Sequence, residues 1–374
     1  MITKSTGLPT DQFWHSRMTL NAETAIFYQW EQLEKSGCID NFRIAAGLKE
    51  GFRQGFFFAD SDAYKWLDAA SRILAHQPDP RLEKLVDDFI NILVKAQEAD
   101  GYLYTYNQIH FVGSRWQNLQ IEHEFYCLGH LIEAGIAHHA ATGQPDLLNV
   151  SIRAADLLVQ TFMDASPIFT DGHEEIEIAL LRLFRHTHNP VYKLLARRLL
   201  ERRGRIPFYW FHFLRQTLRT SARMRSVKQM RAVYERVHPE REIPGMPASN
   251  RHRQHWSIPL RFAASVLKGK YTQQHAPMLQ QAEPVGHAVR FAYLSTAAAM
   301  LAHDENDVKL VNHLAARLER LPDRAALFAE IGVKDLRTEL PDRSLRRYAG
   351  DPFGCLVERR DPPLRIDGEY AVVD

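Results

Sequence analysis

Residues Ile121 to Leu148 read IEHEFYCLGHLIEAGIAHHAATGQPDLL. Apolar residues recur at helical spacing, Gly143 stops the run, and Pro145 restarts it. The stretch is therefore one helix, a turn, and the start of a second. His123 stands at the entrance of the first helix, between Glu122 and Glu124. Buried helices rarely gather that many ionisable groups at one end without a site there.

The same grammar spreads outward. Between Arg81 and Ala96, the residues Leu82, Leu85, Val86, Phe89, Leu93 and Ala96 fall on one stripe, which predicts a helix. Asp79-Pro80 starts it, with an acceptor side chain at the cap and proline in the first turn. The preceding SDAYKWLDAASRILA puts Trp66, Leu67, Ala70, Ile73 and Leu74 on one face. Helix, turn, helix recurs around Asn189-Pro190 in RHTHNPVYKLLARRLLERRG, and around the acidic turn of LAHDENDVKLVNHLAARL. Four helical hairpins with little strand-like alternation predict an all-α ring of hairpins, an α/α toroid with functional loops at one rim. A plain helical scaffold shares this pattern, so the fold alone does not imply an enzyme.

Two regions depart from the pattern. Residues 205–280 begin with the aromatic IPFYWFHFL, continue through the basic RQTLRTSARMRSVKQMRAVYERV, and pass the proline-rich EIPGMPASN. They read as an insertion in a toroid spanning residues 1–314. Its basic run suits an anion-contacting surface or a solvated helix face. The overall charge of +2 favours the solvated face and gives no case for nucleic acid or an acidic membrane. Residues 315–374, rich in arginine and proline, read as an atypical tail. No apolar run is long enough for a membrane span. The N-terminus has no secretory signal pattern. The three scattered cysteines, Cys38, Cys127 and Cys355, suit reduced thiols in a cytoplasm.

Several constellations could carry chemistry. His123, Cys127 and His130 follow at about one-turn spacing, which suits a soft metal or ordinary packing. In DGHEEIE, Gly172 permits a sharp turn before His173, while Glu174 and Glu175 suit capping charges. In EPVGHAVR, His287 again follows glycine at a helix mouth. Three helices thus open with a histidine, and in a toroid those mouths can converge on one pocket. There the imidazoles could hydrogen-bond a polyol or assist proton transfer. The loop DGYLYTY, Asp100 to Tyr106, offers either an aromatic rim for a sugar face or a hydrophobic clamp. Asp60 and Asp62 read as helix caps.

Taken together, the chain resembles glycoside hydrolase family 127, whose characterised members include β-L-arabinofuranosidases. The matching pieces are FWHSR, YQW, NFRIAAG, DSDAYKWLDAASRILAHQPDP, AQEADGYLYTY, HEFYCLGHLIEAGIAHHAATG, DGHEEIEIALLRLFRHT and GHAVRFAYL, in family order from about Phe13 to His303. The resemblance implies an α/α toroid followed by β-rich domains, and retaining release of terminal β-L-arabinofuranose from an arabinose-containing glycan. It carries a sugar-binding role onto His123 in HE-x-Y, His173 in DGH-x-E and His287 in GHAVR. The family's acid/base glutamate, in a Gly-Glu segment, and its zinc-bound cysteine nucleophile find no counterpart here, and Cys355 in GDPFGCLVERR does not match. The resemblance therefore implies an impaired enzyme or a carbohydrate-binding remnant without zinc. It also implies an incomplete toroid, with the tail a truncation or out-of-frame product.

Overall fold

The computed structural model describes residues 12–241, 243–244 and 257–319. The helices run α1 (Gln12–Leu20), α2 (Ile26–Lys35), α3 (Cys38–Ala45), α4 (Asp60–Leu74), α5 (Pro80–Ala96), α6 (Glu124–Thr142), α7 (Asp146–Phe162), α8 (Glu175–Thr187), α9 (Pro190–Arg202), α10 (Tyr209–Val237), α11 (Ser257–Leu267), α12 (Ala288–Glu305) and α13 (Val308–Glu319). No strand occurs among the described residues. The chain is all-α, a toroid built of helical hairpins.

The turn chemistry explains the boundaries. Asp79 accepts a hydrogen bond from the Arg81 amide at 2.8 Å, and Asn189 accepts one from Val191 at 3.2 Å, each just before a proline that opens its helix. Gly143 and Asn306 take left-handed backbone and end α6 and α12. All four expected hairpins are present: α4/α5, α6/α7, α8/α9 and α12/α13. A fifth, α2/α3, was not apparent from the sequence.

First helices of the hairpins pack side by side as an inner layer: α2 on α4, α4 on α6, α6 on α8, α8 on α12. Second helices α3, α5, α7 and α9 follow one another outside. The predicted stripe of α5 is buried at Leu82, Val86, Phe89, Leu93 and Ala96, with Leu85 half-buried and Ile90 joining it. Each large apolar side chain so buried contributes about 1.5–3 kcal/mol. Trp30 and Trp66 pack with ring centroids 4.4 Å apart, and the Trp66 indole donates to the Ile26 carbonyl at 2.9 Å, fastening α2 to α4.

Three expectations change. Asp60 is no cap: fully buried, it accepts from the Thr105 amide and hydroxyl, both at 2.6 Å, and pairs with Arg53 at 3.3 Å. The supposed insertion contains α10, which crosses the ring's rim. Its basic run is only partly a solvated face, because Arg223 turns inward and is 7% exposed. Phe208, Trp210, Phe211, Leu214 and Leu218, at the start of this segment, stay exposed. Residues 315–319 belong to α13, where buried Arg317 donates to Gln273 and Gln281 at 3.0 and 2.9 Å. The rest of the expected tail, residues 320–374 with Cys355, lies outside the described residues.

Asp60→Ala should cost about 3–5 kcal/mol, because it strands a buried guanidinium. Asp62→Ala, whose side chain is 55% exposed, should cost about 1 kcal/mol or less. Denaturant melts of both variants check this, and equal losses would restore the capping view of Asp60.

Candidate active site

The inner helices α6, α8 and α12 begin at the same rim, so their free backbone N–H ends gather there. His123 is the residue before α6 and His287 the residue before α12, while His173 stands two before α8. The three imidazoles meet: ring centroids of His123 and His173 are 5.6 Å apart, and those of His173 and His287 are 6.4 Å apart. The convergence expected of three helix mouths is therefore present.

Local structure explains each placement. Glu122 and Glu124 pin the turn carrying His123. Glu122 accepts from Arg223 at 2.6 Å, Asn118 at 2.9 Å and Thr220 at 2.9 Å. Glu124 accepts from the Tyr102 hydroxyl at 2.7 Å, Asn107 at 2.9 Å and the Trp116 amide. The DGHEE turn is held by Arg203, which pairs with Asp171 at 2.9 Å, Glu174 at 3.0 Å and Glu177 at 2.9 Å, all buried. Glu174 is therefore buried beside Arg203 rather than a capping charge, and neither of its oxygens makes a hydrogen bond. A β-carbon on Gly172 would stand 2.2 Å from the Gln120 carbonyl oxygen, and one on Gly286 2.0 Å from that of Lys270. Gly286 also takes φ +84°, so only glycine fits there without strain.

Sequence reasoning missed the groups around the histidines. The Tyr126 ring lies 4.4 Å from His173, 5.3 Å from His123 and 4.5 Å from His130. Tyr293 lies 5.3 Å from His173, and Tyr271 lies 5.4 Å from His287. Phe57 and Phe58 each lie 5.4 Å from His123. The Lys65 ammonium sits 4.9 Å over Tyr126, and Glu175 approaches His130 at 3.5 Å. The helical signal was available: Tyr126, His130 and Glu133 follow His123 at steps of three, four and three, on one face. Cys127 lies off that face, fully buried, with its thiol toward the Phe58 carbonyl at 3.8 Å. The expected grouping of His123, Cys127 and His130 is thus replaced by His123, Tyr126 and His130. The loop Asp100 to Tyr106 is the clamp, not the rim: Tyr102, Tyr104 and Tyr106 are at most 3% exposed.

The site favours neutral imidazoles. Burial, reinforced by the charge of Arg290, lowers His123 to about 3, His287 to about 4, and His173 well below the usual histidine range. The His123 Nδ1 stands 2.7 Å from the Ile121 carbonyl, so in the neutral ring it is the protonated nitrogen and Nε2 is left as an acceptor. Burial pushes Glu174 up to about 8 and Glu124 up to about 7.

The described residues do not fit a zinc–thiolate centre. No group of three or more His, Cys, Asp or Glu among them could hold a metal ion. Burial pushes both described thiols up, so the thiolate that zinc prefers is disfavoured at Cys38 and Cys127. No helix among the described residues is long and apolar enough to cross a membrane.

An α/α ring whose inner helices open onto a cluster of neutral imidazoles and aromatic rings suits polyol recognition, the class of pocket found in toroidal glycoside hydrolases. The catalytic-domain profile for β-L-arabinofuranosidase, glycoside hydrolase family 127, matches residues 9–320, and the chain belongs to that family. A non-reducing end β-L-arabinofuranosidase of Bifidobacterium longum subsp. longum is 30% identical over 328 residues, which cover 81% of this chain and 44% of that protein. Among solved structures, a family 127 β-L-arabinofuranosidase from Geobacillus stearothermophilus T6 aligns with TM-score 0.66 at 35% identity, covering 83% of this chain and 44% of the other. A second family 127 β-arabinofuranosidase aligns with TM-score 0.62 at 27% identity, covering 83% and 42%. The chain thus spans less than half the length of these relatives.

Stability should peak near pH 6.5, because below it the three histidine slopes outweigh that of Glu174. The histidines, lowered from 6.5, stay neutral in the folded chain, so stability falls as pH drops below 6.5 toward 4. Glu174, raised from 4.5 to about 8, stays protonated in the folded chain, so stability is lost as pH rises from 4.5 through 8. The two slopes oppose one another in between. Thermal melts from pH 4 to 9 test this, and Glu174→Gln should shrink the loss between pH 6.5 and 8.5. An unchanged alkaline limb would show that Glu174 ionises freely in the folded chain.

Proposed function

We propose that the pocket holds a terminal β-L-arabinofuranosyl unit through His123, His173 and His287, and that this chain binds the sugar while hydrolysing it poorly. Membership of family 127 supports the sugar class. The observation that carries the binding role is the convergence of three imidazoles from distant parts of the chain. Neutral imidazoles offer both a donor and an acceptor to sugar hydroxyls, and the Tyr126 and Tyr293 rings suit the apolar face of a furanose.

Poor hydrolysis is the finer part of the proposal. Retaining cleavage needs an acid and a nucleophile flanking one bond, with carboxyl groups roughly 5–5.5 Å apart in the usual two-carboxylate arrangement. Two carboxylates beside the histidines are committed elsewhere, Glu122 to Arg223 and Glu124 to Tyr102 and Asn107, while burial pushes Glu174, 3.0 Å from Arg203, up to about 8. Glu175 lies beside His130, and burial raises it well above the usual carboxylate range. Both described thiols are buried and protonated. The polar partner is an arabinose-containing glycan, and neither nucleic acid nor a membrane is called for. The sparse, buried thiols suit a reducing, cytoplasmic setting.

Calorimetric titration with L-arabinose should give a saturable signal that His173→Ala weakens about tenfold, the loss of roughly one well-made hydrogen bond. No saturable signal would leave a ligand-free helical scaffold. An aryl β-L-arabinofuranoside should turn over slowly, with or without added zinc. Brisk turnover abolished by His123→Ala would overturn the impaired-enzyme part and leave the sugar assignment standing.

A further inference from the structure

Two more histidines meet at the far ends of α6 and α8. His139 lies in the last turn of α6 and His186 in the last turn of α8. His139 Nδ1 stands 2.9 Å from His186 Nε2, and the two rings are perpendicular with centroids 5.0 Å apart. Both side chains are half-buried. The residues are 47 apart in sequence, so this contact ties one inner helix to the next. The near ends of the same two helices carry His123 and His173.

A separation of 2.9 Å is that of a hydrogen bond between the rings. A neutral imidazole has one donor nitrogen and one acceptor nitrogen. Whichever ring accepts, the nitrogen in the bond is its only basic one, because the other already carries a hydrogen. The donor ring can take a proton on its outer nitrogen and keep the bond. The accepting ring cannot. Charging both rings therefore breaks the bond and leaves two cations side by side.

The surroundings offer no relief for a second charge. On α6, His138 is buried with its Nδ1 unpartnered, and Asp87 of α5 and Asp146 of α7 act on that ring. On α8, Arg182 pairs with Glu133, and Arg185 pairs with Asp304 of α12 at 2.9 Å. From α4, Asp68 is taken by Arg72 at 2.9 Å; from α9, Lys193 lies over Phe184 and Arg197 takes Glu305 of α12. His303 of α12 faces Asp304. No carboxylate pairs with His139 or His186 among the described residues. Burial, then the charges of His139 and His188, lowers His186 from the usual histidine range. The carbonyl ends of α6 and α8 favour a first positive charge here, but a second must also overcome the first.

We propose that His139 and His186 form a proton-sensitive latch, closed by one N–H···N bond between the far ends of α6 and α8 and opened when both rings are protonated. The latch does not depend on which sugar the pocket takes. A ring whose proton affinity is lowered by folding contributes stability that is present above about pH 6.5 and is lost as pH falls below it. At neutral pH the frame that spaces His123 from His173 is thus pinned at both ends, by ion clusters at the rim and by this bond at the opposite end. Acid releases the far end.

The test is nitrogen-15 NMR of the histidine rings in the full chain from pH 8 to 4.5, with a chelator present so that no metal bridges the pair. His139 and His186 should titrate in two steps about one pH unit or more apart, the second below 6.5. In His139→Phe, the His186 midpoint should move up toward 6.5. A single shared step at an ordinary midpoint would overturn the latch, as would a His186 midpoint unmoved in a folded His139→Phe variant. Thermal melts of His139→Phe, His186→Phe and the double variant give a second reading. Their losses should be non-additive at pH 7.5 and additive at pH 5. The acid sensitivity of the pocket histidines is common to all four proteins and cancels in that comparison. Additive losses at both pH values would overturn the proposal too.

Discussion

The inner helices α6, α8 and α12 start at one rim, and that constraint governs the candidate site. Their unpaired N–H ends make the rim electropositive before any side chain is placed. Imidazoles set there resist protonation, and Arg290 and Lys65 add to the same sign. Anything built at this rim is pushed toward neutral nitrogen or negative oxygen. Neutral histidines follow from burial first and from the charge of Arg290 second.

Holding flexible helix mouths in register requires strong anchors, and the chain uses buried ions for this purpose. Arg203 gathers Asp171, Glu174 and Glu177, tying the turn before α8 to the end of α9. Arg223 reaches from α10 to Glu122, tying the crossing helix to the turn before α6. Such clusters contribute little net stability compared with an apolar core, but breaking one is expensive. Their value is geometric. Each fixes the backbone on one side of a histidine, so the 5.6 Å spacing of His123 and His173 depends on both clusters.

Much of this was legible from residues alone. Asp79-Pro80, Asn189-Pro190 and Gly143 are local signals, and local signals survive folding, so four hairpins and their turns could be placed. The glycine–histidine pairs at 172–173 and 286–287 likewise announced helix mouths. What stayed hidden was tertiary. Arg223 and Glu122 lie 101 residues apart, so nothing near the basic run says that one arginine turns inward. Tyr102, Tyr104 and Tyr106 look like a sugar platform because aromatic residues serve both platforms and clamps, and burial alone separates the two. Cys127 was grouped with His123 and His130 by regular i, i+4, i+7 spacing. His123, however, stands just outside α6 with non-helical backbone, so its ring meets Tyr126 instead. The α2/α3 hairpin escaped because Ser36-Gly37 has neither the proline that marked three of the others nor the acidic turn that marked the fourth.

The pocket separates recognition from reaction. Its donors and acceptors are neutral and fixed in place, as binding a polyol requires. Its acids are turned outward into ion clusters or held protonated by burial. A hydrolase needs at least two groups whose environments drive their proton affinities apart beside the scissile bond. Here burial pushes the nearby carboxyl groups in the same direction, upward, so no acid and base are differentiated at the rim. Whatever differentiates them must bring its own solvated or charge-paired carboxylate or thiolate into this space.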